Sequence, residues 1–267
     1  MTMLDDLLGD LAAESDRLRA AVAPLDDAGW HTPTPAEGWD VATQIAHLTW
    51  TDEAAVLAAR AAAGDKADWD AVVLAALEDP DGFVDKAAAE AAQALPEDLL
   101  ARWDASRGAL AEALRGADGK MPWFGPPMSP SSMATARFME TWAHGLDVVE
   151  ALAEHGLGTV PEPTDRIRHV CHLGIRTRDW VFGNHGLARP AAEFRLDLVA
   201  PSGGVWSWGP EEATQSVTGP AYDFARLVTQ RIHRADTELV AVGEDADRWL
   251  DIAQAFAGPP GPGRERR

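Results

Sequence analysis

A single cysteine, Cys171, stands in a chain of 267 residues, so no internal disulfide can form and a reducing compartment is expected. It falls between Val170 and His172 in an apolar-rich stretch, and reads as buried filler rather than a nucleophile. Basic residues are sparse too. There are 23 against 43 acidic ones, and the net charge of −20 disfavours nucleic acid or an anionic membrane as partner. No window holds about 18 uninterrupted apolar residues, as a membrane span needs. The opening Met1-Thr2-Met3-Leu4-Asp5-Asp6-Leu7 carries neither a basic segment nor a continuous apolar core. No secretory signal is expected, and the expected location is cytoplasmic. Walker loops, G-x-G-x-x-G, G-x-S-x-G and C-x-x-C are all absent, which removes the usual support for nucleotide binding, serine hydrolysis and dithiol redox chemistry. No repeat of solenoid length is visible.

What is present divides into two textures. Hydrophobic residues make up 46% of the chain, and its length favours two domains over one. Leu4, Leu7, Leu8, Leu11, Leu18 and Val22 follow the spacing of an amphipathic helix over 4–22. A Pro/Gly-punctuated loop containing His31 follows, with Asp40 as expected N-cap of a second helix over 41–63, closed by Gly64. On that helix Gln44, His47 and Thr51 form one polar line through an Ala/Leu/Val-rich surface. Such a line either meets solvent or needs buried partners. Residues 65–95 read as one or two helices, around 69–77 and 83–94. Pro96 opens a clearer helix with an apolar stripe of Leu99, Trp103, Leu110 and Leu114. At its edge Arg107 either reads a substrate carboxylate bidentately or reaches out to solvent. The segment 121–130 is too proline-rich for helix or central strand. Its Trp123 and Phe124 are candidates for a wall of the substrate pocket, or else belong to a packed connector.

The stretch that carries chemistry is Phe138-Met139-Glu140-Thr141-Trp142-Ala143-His144-Gly145-Leu146-Asp147. A helix turns about 100° per residue, so Glu140 and His144 project from one side, one turn apart. Most such pairs are surface contacts worth a few tenths of a kcal/mol. They can equally reach one cation, and His47 from the second helix would complete a His2Glu set with a position left open, the arrangement of catalytic zinc. Asp147 lies about 700° of rotation after Glu140 and faces the same way. Its carboxylate could meet the metal as a fourth ligand, the second nitrogen of a ligating histidine, or an arginine such as Arg107, and the expected role lies beyond the ligands. Ser131 or Ser132 is the expected cap, and the helix should reach Glu154 before His155-Gly156.

After Pro161 and Pro163, a helix from about Thr164 to Asn184 concentrates Arg168, His169, His172, Arg176 and Arg178. His172 and Arg176 share a face, suited to an anionic substrate or thiol cofactor, or to pairing with Asp165 and Asp179. The period then changes to two. Residues 194–198 and 205–208 read as a hairpin about Gly203-Gly204, 213–218 and 237–242 as further strands. A helix bearing Tyr222, Ala225 and Val228 follows Gly219-Pro220, and Trp249, Leu250, Ala253 and Phe256 mark a last helical stripe. Strands with helices after an all-helical half indicate a separate α+β domain. The Gly/Pro tail 258–267 has the composition of disorder.

The stretches GWDVATQIAHL and METWAHGLDV resemble those of DinB-like metal-binding proteins, and more closely the maleylpyruvate isomerase family of mycothiol-dependent enzymes with its actinobacterial relatives. That resemblance implies an N-terminal four-helix bundle (1–160), a connecting helix (161–190), a smaller sterol-carrier-like α+β domain (191–257) and the tail (258–267). It implies one divalent metal, expected to be Zn2+, on His47, Glu140 and His144, with mycothiol as a low-molecular-weight thiol cofactor. The expected activity is isomerisation or thiol transfer on a small carbonyl or carboxylate substrate. Two other readings stand beside it: a thiol-independent metal-dependent lyase, hydrolase or cyclase, and a non-enzymatic ligand-binding protein with a structural metal. The expected partners are a small-molecule substrate and the thiol, in a monomer or homodimer.

Overall fold

A computed structural model describes residues 2–80, 82–258, 261 and 263–266, which fall into two units meeting in sequence at Pro161 and Glu162. The first is helical: α1 (Met3–Val22), α2 (Asp27–Trp30), α3 (Val41–Ala62), α4 (Ala67–Glu78), α5 (Phe83–Ala91), α6 (Pro96–Gly116) and α7 (Pro130–Glu154). Helix α1 packs on α7, and α3 on α6 and α7, making the expected bundle. Its centre joins Leu18, Val22, Trp30, Ile45, Leu48, Leu99, Trp103, Val148 and Leu152. Each large apolar side chain buried there contributes roughly 1.5–3 kcal/mol.

Two features of the sequence set α3 and α7, the helices that carry His47, Glu140 and His144. Asp40 caps α3, accepting from the Thr43 amide at 2.8 Å, as expected. Helix α7 starts earlier than expected, capped by Ser129 rather than by Ser131 or Ser132, because Pro130 fits the first helical position, where no amide hydrogen is required. Helix α3 is enclosed nearly all round, with Gln44, His47, Thr49, Thr51 and Asp52 all buried. A solvent-facing stripe is thereby ruled out for Gln44 and Thr51. A helix buried in this way must satisfy its polar groups internally. Thr49 donates to the Ile45 carbonyl and Thr51 to that of His47, both at 2.8 Å.

The second unit opens with a short 3-10 turn and continues as α8 (Arg168–Arg176), α9 (Arg178–Asn184), β1 (Phe194–Val199), β2 (Val205–Trp208), β3 (Gln215–Pro220), α10 (Ala221–Val228), β4 (Val240–Val242) and α11 (Glu244–Ile252). The strands form one sheet in the order β2-β1-β3-β4. The β1–β2 hairpin is antiparallel with Val199 opposite Val205, β1 and β3 are parallel, and β3–β4 is antiparallel. Phe194 and Phe224 both pack on Trp249, at 5.7 and 5.6 Å between ring centroids.

Boundaries in this unit also differ from those expected from sequence. The single helix expected over 164–184 is broken at Thr177, whose hydroxyl donates to the carbonyls of Gly174 and Gln254 and so ties the break to the end of the chain. The last strand is shortened to Val240–Val242. The last helix starts at Glu244 and stops before Ala253, whose extended backbone brings the Ala255 amide to the Val228 carbonyl. Of the tail, residues 259, 260, 262 and 267 lie outside the described residues, while the Gly258 carbonyl accepts from Gln254. Among the described residues no helix is long and apolar enough to cross a membrane.

Candidate metal centre

Helices α3 and α7 bring three donors to one point. The Nε2 atoms of His47 and His144 lie 3.3 and 3.2 Å from the same oxygen of Glu140, and the two imidazole centroids are 4.5 Å apart. One ligand atom from each of the three side chains lies within 4.8 Å of the others, so the set could hold a metal ion. The site is recessed but not sealed, since the Glu140 side chain keeps 22% of its surface exposed.

A hydrogen-bonded chain orients His144. The Thr34 hydroxyl donates to the Trp39 carbonyl, at 2.8 Å, and so accepts from Gln44 Nε2 at 2.9 Å. That fixes the amide, and Gln44 Oε1 accepts from His144 Nδ1–H at 2.6 Å. Neutral His144 then presents the lone pair of Nε2 to a carboxylate oxygen. Two acceptors at this separation need a proton or a cation between them. A divalent ion meets that need, and two imidazoles with one carboxylate are a zinc donor set, so the residues present fit the group. His47 is held differently: its Nδ1 is buried with no hydrogen-bond partner.

Electrostatics agree. Burial alone would push the Glu140 carboxyl up, but in the ion-free site His144 and His47, when protonated at Nε2, donate to the carboxylate and attract it, holding it well below the usual carboxylate range. The carboxylate is therefore ready to coordinate.

Trp39 closes one side. Its indole lies nearly parallel to His144, with centroids 5.7 Å apart and planes 18° apart, and is tilted over His47 at 5.2 Å. The loop before α3 places it there. Gly38 has φ +77°, where a side chain is strained, and the turn pairs Pro33 with Asp40 and the Thr34 amide with the Trp39 carbonyl. His31 Nδ1 lies 2.9 Å from Asp40, which raises the His31 pKa. The sequence reading assigned no role to Trp39, although it quoted the residue within its motif. The signal available was a glycine-aromatic pair just before an N-cap.

The other candidates sit as follows. Asp147 is 1% exposed on α7, on the interior side its phase implied. Arg107 is committed elsewhere: its guanidinium meets Asp16 at 2.5 Å and Asp104 at 3.4 Å, and stacks over Trp103. It lines a cavity of about 240 Å³ with Leu8, Leu11, Ser15 and Asp52, and none of His47, Glu140 and His144 borders that cavity. Trp123 and Phe124 join an aromatic cluster with Trp50, Trp69 and Phe83, and Trp50 lies on α3 one turn beyond His47. His172 and Arg176 belong to α8 of the second unit. Their expected partners are taken, Asp165 by Ser202 and Asp179 by Arg178. His172 is pushed below its ordinary pKa by surrounding protein and by Arg176, His169 and Arg168. Cys171 is buried, and burial pushes its thiol far up, as suits a filler.

Residues 11–149 match the family described as the mycothiol maleylpyruvate isomerase N-terminal domain. Two uncharacterized proteins of Mycobacterium tuberculosis, from strains CDC 1551 / Oshkosh and H37Rv, are each 53% identical over 259 residues, covering 96% of this chain and 97% of the relative. Among solved structures, the mycothiol-dependent maleylpyruvate isomerase superposes with a TM-score of 0.58 at 18% identity, and a point mutant of it with 0.61 at 17%. Each superposition covers 90% of this chain and 93% of the other. At that identity the likeness speaks to fold, and the fold is the same two-part arrangement of helical unit and smaller sheet-bearing unit. By its helical unit and its full-length relatives, the chain belongs to the mycothiol maleylpyruvate isomerase N-terminal domain family.

Proposed function

We propose that this chain is a divalent-metal-dependent enzyme in which His47, Glu140 and His144 hold one ion, zinc by preference of the donor set, and that it uses a low-molecular-weight thiol, mycothiol, to isomerise or transfer thiol to a small carbonyl or carboxylate substrate. The observation that carries this reading is the convergence of both Nε2 atoms on one oxygen of Glu140 while Gln44 fixes the tautomer of His144. A bound ion would lower the pKa of a coordinated thiol and polarise a carbonyl oxygen. The protein's own contribution is orientation and shielding. Gln44 keeps the His144 lone pair directed inward, Glu140 is held ionised, and Trp39 covers one flank of both rings.

The family match and the solved mycothiol-dependent relative support the thiol part of the reading. The test is a calorimetric titration of metal-loaded protein with mycothiol, repeated on the His144→Ala variant. Saturable binding in the first and none in the second is expected. Equal heats in both would refute a role for the ion in holding the thiol.

A further inference from the structure

A charged pair sits deep between the two ligand-bearing helices. Arg137 on α7 and Asp52 on α3 have side chains only 2% and 4% exposed, with Nε donating to Oδ1 at 2.9 Å. The same guanidinium donates through Nη2 to the Thr51 hydroxyl, at 2.5 Å, and that hydroxyl donates to the main-chain carbonyl of His47 at 2.8 Å. Arg137 precedes Glu140 by three residues and Thr51 follows His47 by four, each about one helical turn. One side chain therefore ties both helices at the level just beside the donors.

Stability does not account for the pair. Two buried charges lose several kcal/mol each in hydration, and a well-packed apolar pair of similar volume is often as stable or more so. Direction is what an apolar pair cannot supply. Small residues such as Ala42, Ala46, Ala54, Ala55 and Ala58 form much of the buried surface of α3, and they offer little to stop that helix sliding or rotating against its neighbours. A planar guanidinium with fixed donor directions, bound at once to a carboxylate and a hydroxyl, accepts only one register.

We infer that Asp52 and Arg137 are positioning residues of the metal centre, which lock α3 against α7 and fix the His47 backbone through Thr51, so that His47 and Glu140 face one point before an ion arrives. The inference rests on the reading of His47, Glu140 and His144 as metal ligands, and the experiment separates the two. Cobalt(II) is added to metal-free protein. Its affinity is measured by competition with a chelator, its visible spectrum reports coordination number and symmetry, and the unfolding temperature of the metal-free form is recorded alongside.

The central variant is the double substitution Asp52→Leu with Arg137→Met, an apolar replacement chosen to fold. We expect its unfolding temperature to match or exceed that of the parent, its cobalt affinity to fall about 10–100-fold, as for loss of groups that orient ligands, and its spectrum to change. Parental affinity and spectrum in that variant would overturn the inference. Should it not fold, Arg137→Lys decides, because it keeps the charge and gives up the fork. Weaker cobalt binding at unchanged unfolding temperature supports positioning, and unchanged binding overturns it. If the parent protein itself takes up no cobalt, the metal reading fails first, and the positioning role falls with it.

Discussion

The interiors of the two units are built on opposite terms. Between α3 and α7 lie Gln44, His47, Thr51, Asp52, Arg137 and Asp147, all buried, several in one connected set of hydrogen bonds. Inside the second unit Phe194, Leu196, Leu198, Val217, Phe224 and Trp249 are all buried, with both phenylalanines against the tryptophan, and among the described residues the buried polar ones are Thr229 and Gln254. The basic side chains of α8 stay at its surface, with Arg168 over Trp206 and Trp208. Among its described residues the second unit buries no charged side chain in its interior. On the function proposed above, the polar seam of the first serves the metal site, and its expense in hydration is met by the apolar packing around it.

The contrast can be broken most severely at a ligand. His144→Ala or His47→Ala should reduce the metal content of protein purified without chelator from close to one ion per chain to nearly none, as read by elemental analysis, while leaving the fold intact. Full metal content in both variants would show the seam to be ordinary hydrogen bonding. Next in size is the opposite lesion. Trp249→Ala, in the apolar interior, should destabilise its unit by about 3–5 kcal/mol in denaturant unfolding, yet folded protein should still bind one ion.

Smaller effects sharpen the same distinction. Gln44→Leu removes the acceptor for His144 Nδ1–H and should weaken metal affinity about 10–100-fold in chelator competition, with little loss of helicity. Smallest is the pair at the edge of the seam. His31 is raised above its ordinary 6.5, first by its hydrogen bond to Asp40. Burial would raise Asp40, but His31 and Thr43 hold it below its ordinary 3.8. The signs define a window. The His31 share of stability is fully present below pH 6.5 and fades as pH rises through its raised value, and the Asp40 share is present above pH 3.8 and is lost as pH falls through its lowered value. His31 is well exposed, so after solvent screening the pair contributes at most about 1 kcal/mol. The His31→Ala variant should flatten the stability profile at both ends of that window.

Much of this was legible in the residues. Helical phase alone put Glu140 and His144 on one line and Asp147 with them, and the polar line on α3 anticipated that Gln44 and Thr51 would need partners. What the phase of one helix does not contain is the register of another. Asp52 and Arg137 carry no signal of their own in sequence, because only the meeting of α3 and α7 pairs and encloses them. Arg107 was misread for a related reason. The edge of its apolar stripe faces Asp16 on α1 and Asp104 on its own helix, and those carboxylates take the guanidinium first. The break at Thr177 was hidden because its cause, the Gln254 carbonyl, lies far along the chain. Trp39 depended on a backbone detail, the positive φ of Gly38, that composition marks only faintly.

The placement of that indole also gives the molecule an optical gauge of its own state. Within 6 Å of both imidazoles, stacked on His144 and tilted over His47, Trp39 will be quenched when either ring carries a proton and will respond differently when an ion replaces it. The chain has 11 tryptophans, so the signal is read as the difference between the parent and Trp39→Phe. That difference spectrum would follow acid, chelator and thiol at a single point in the fold, without any label.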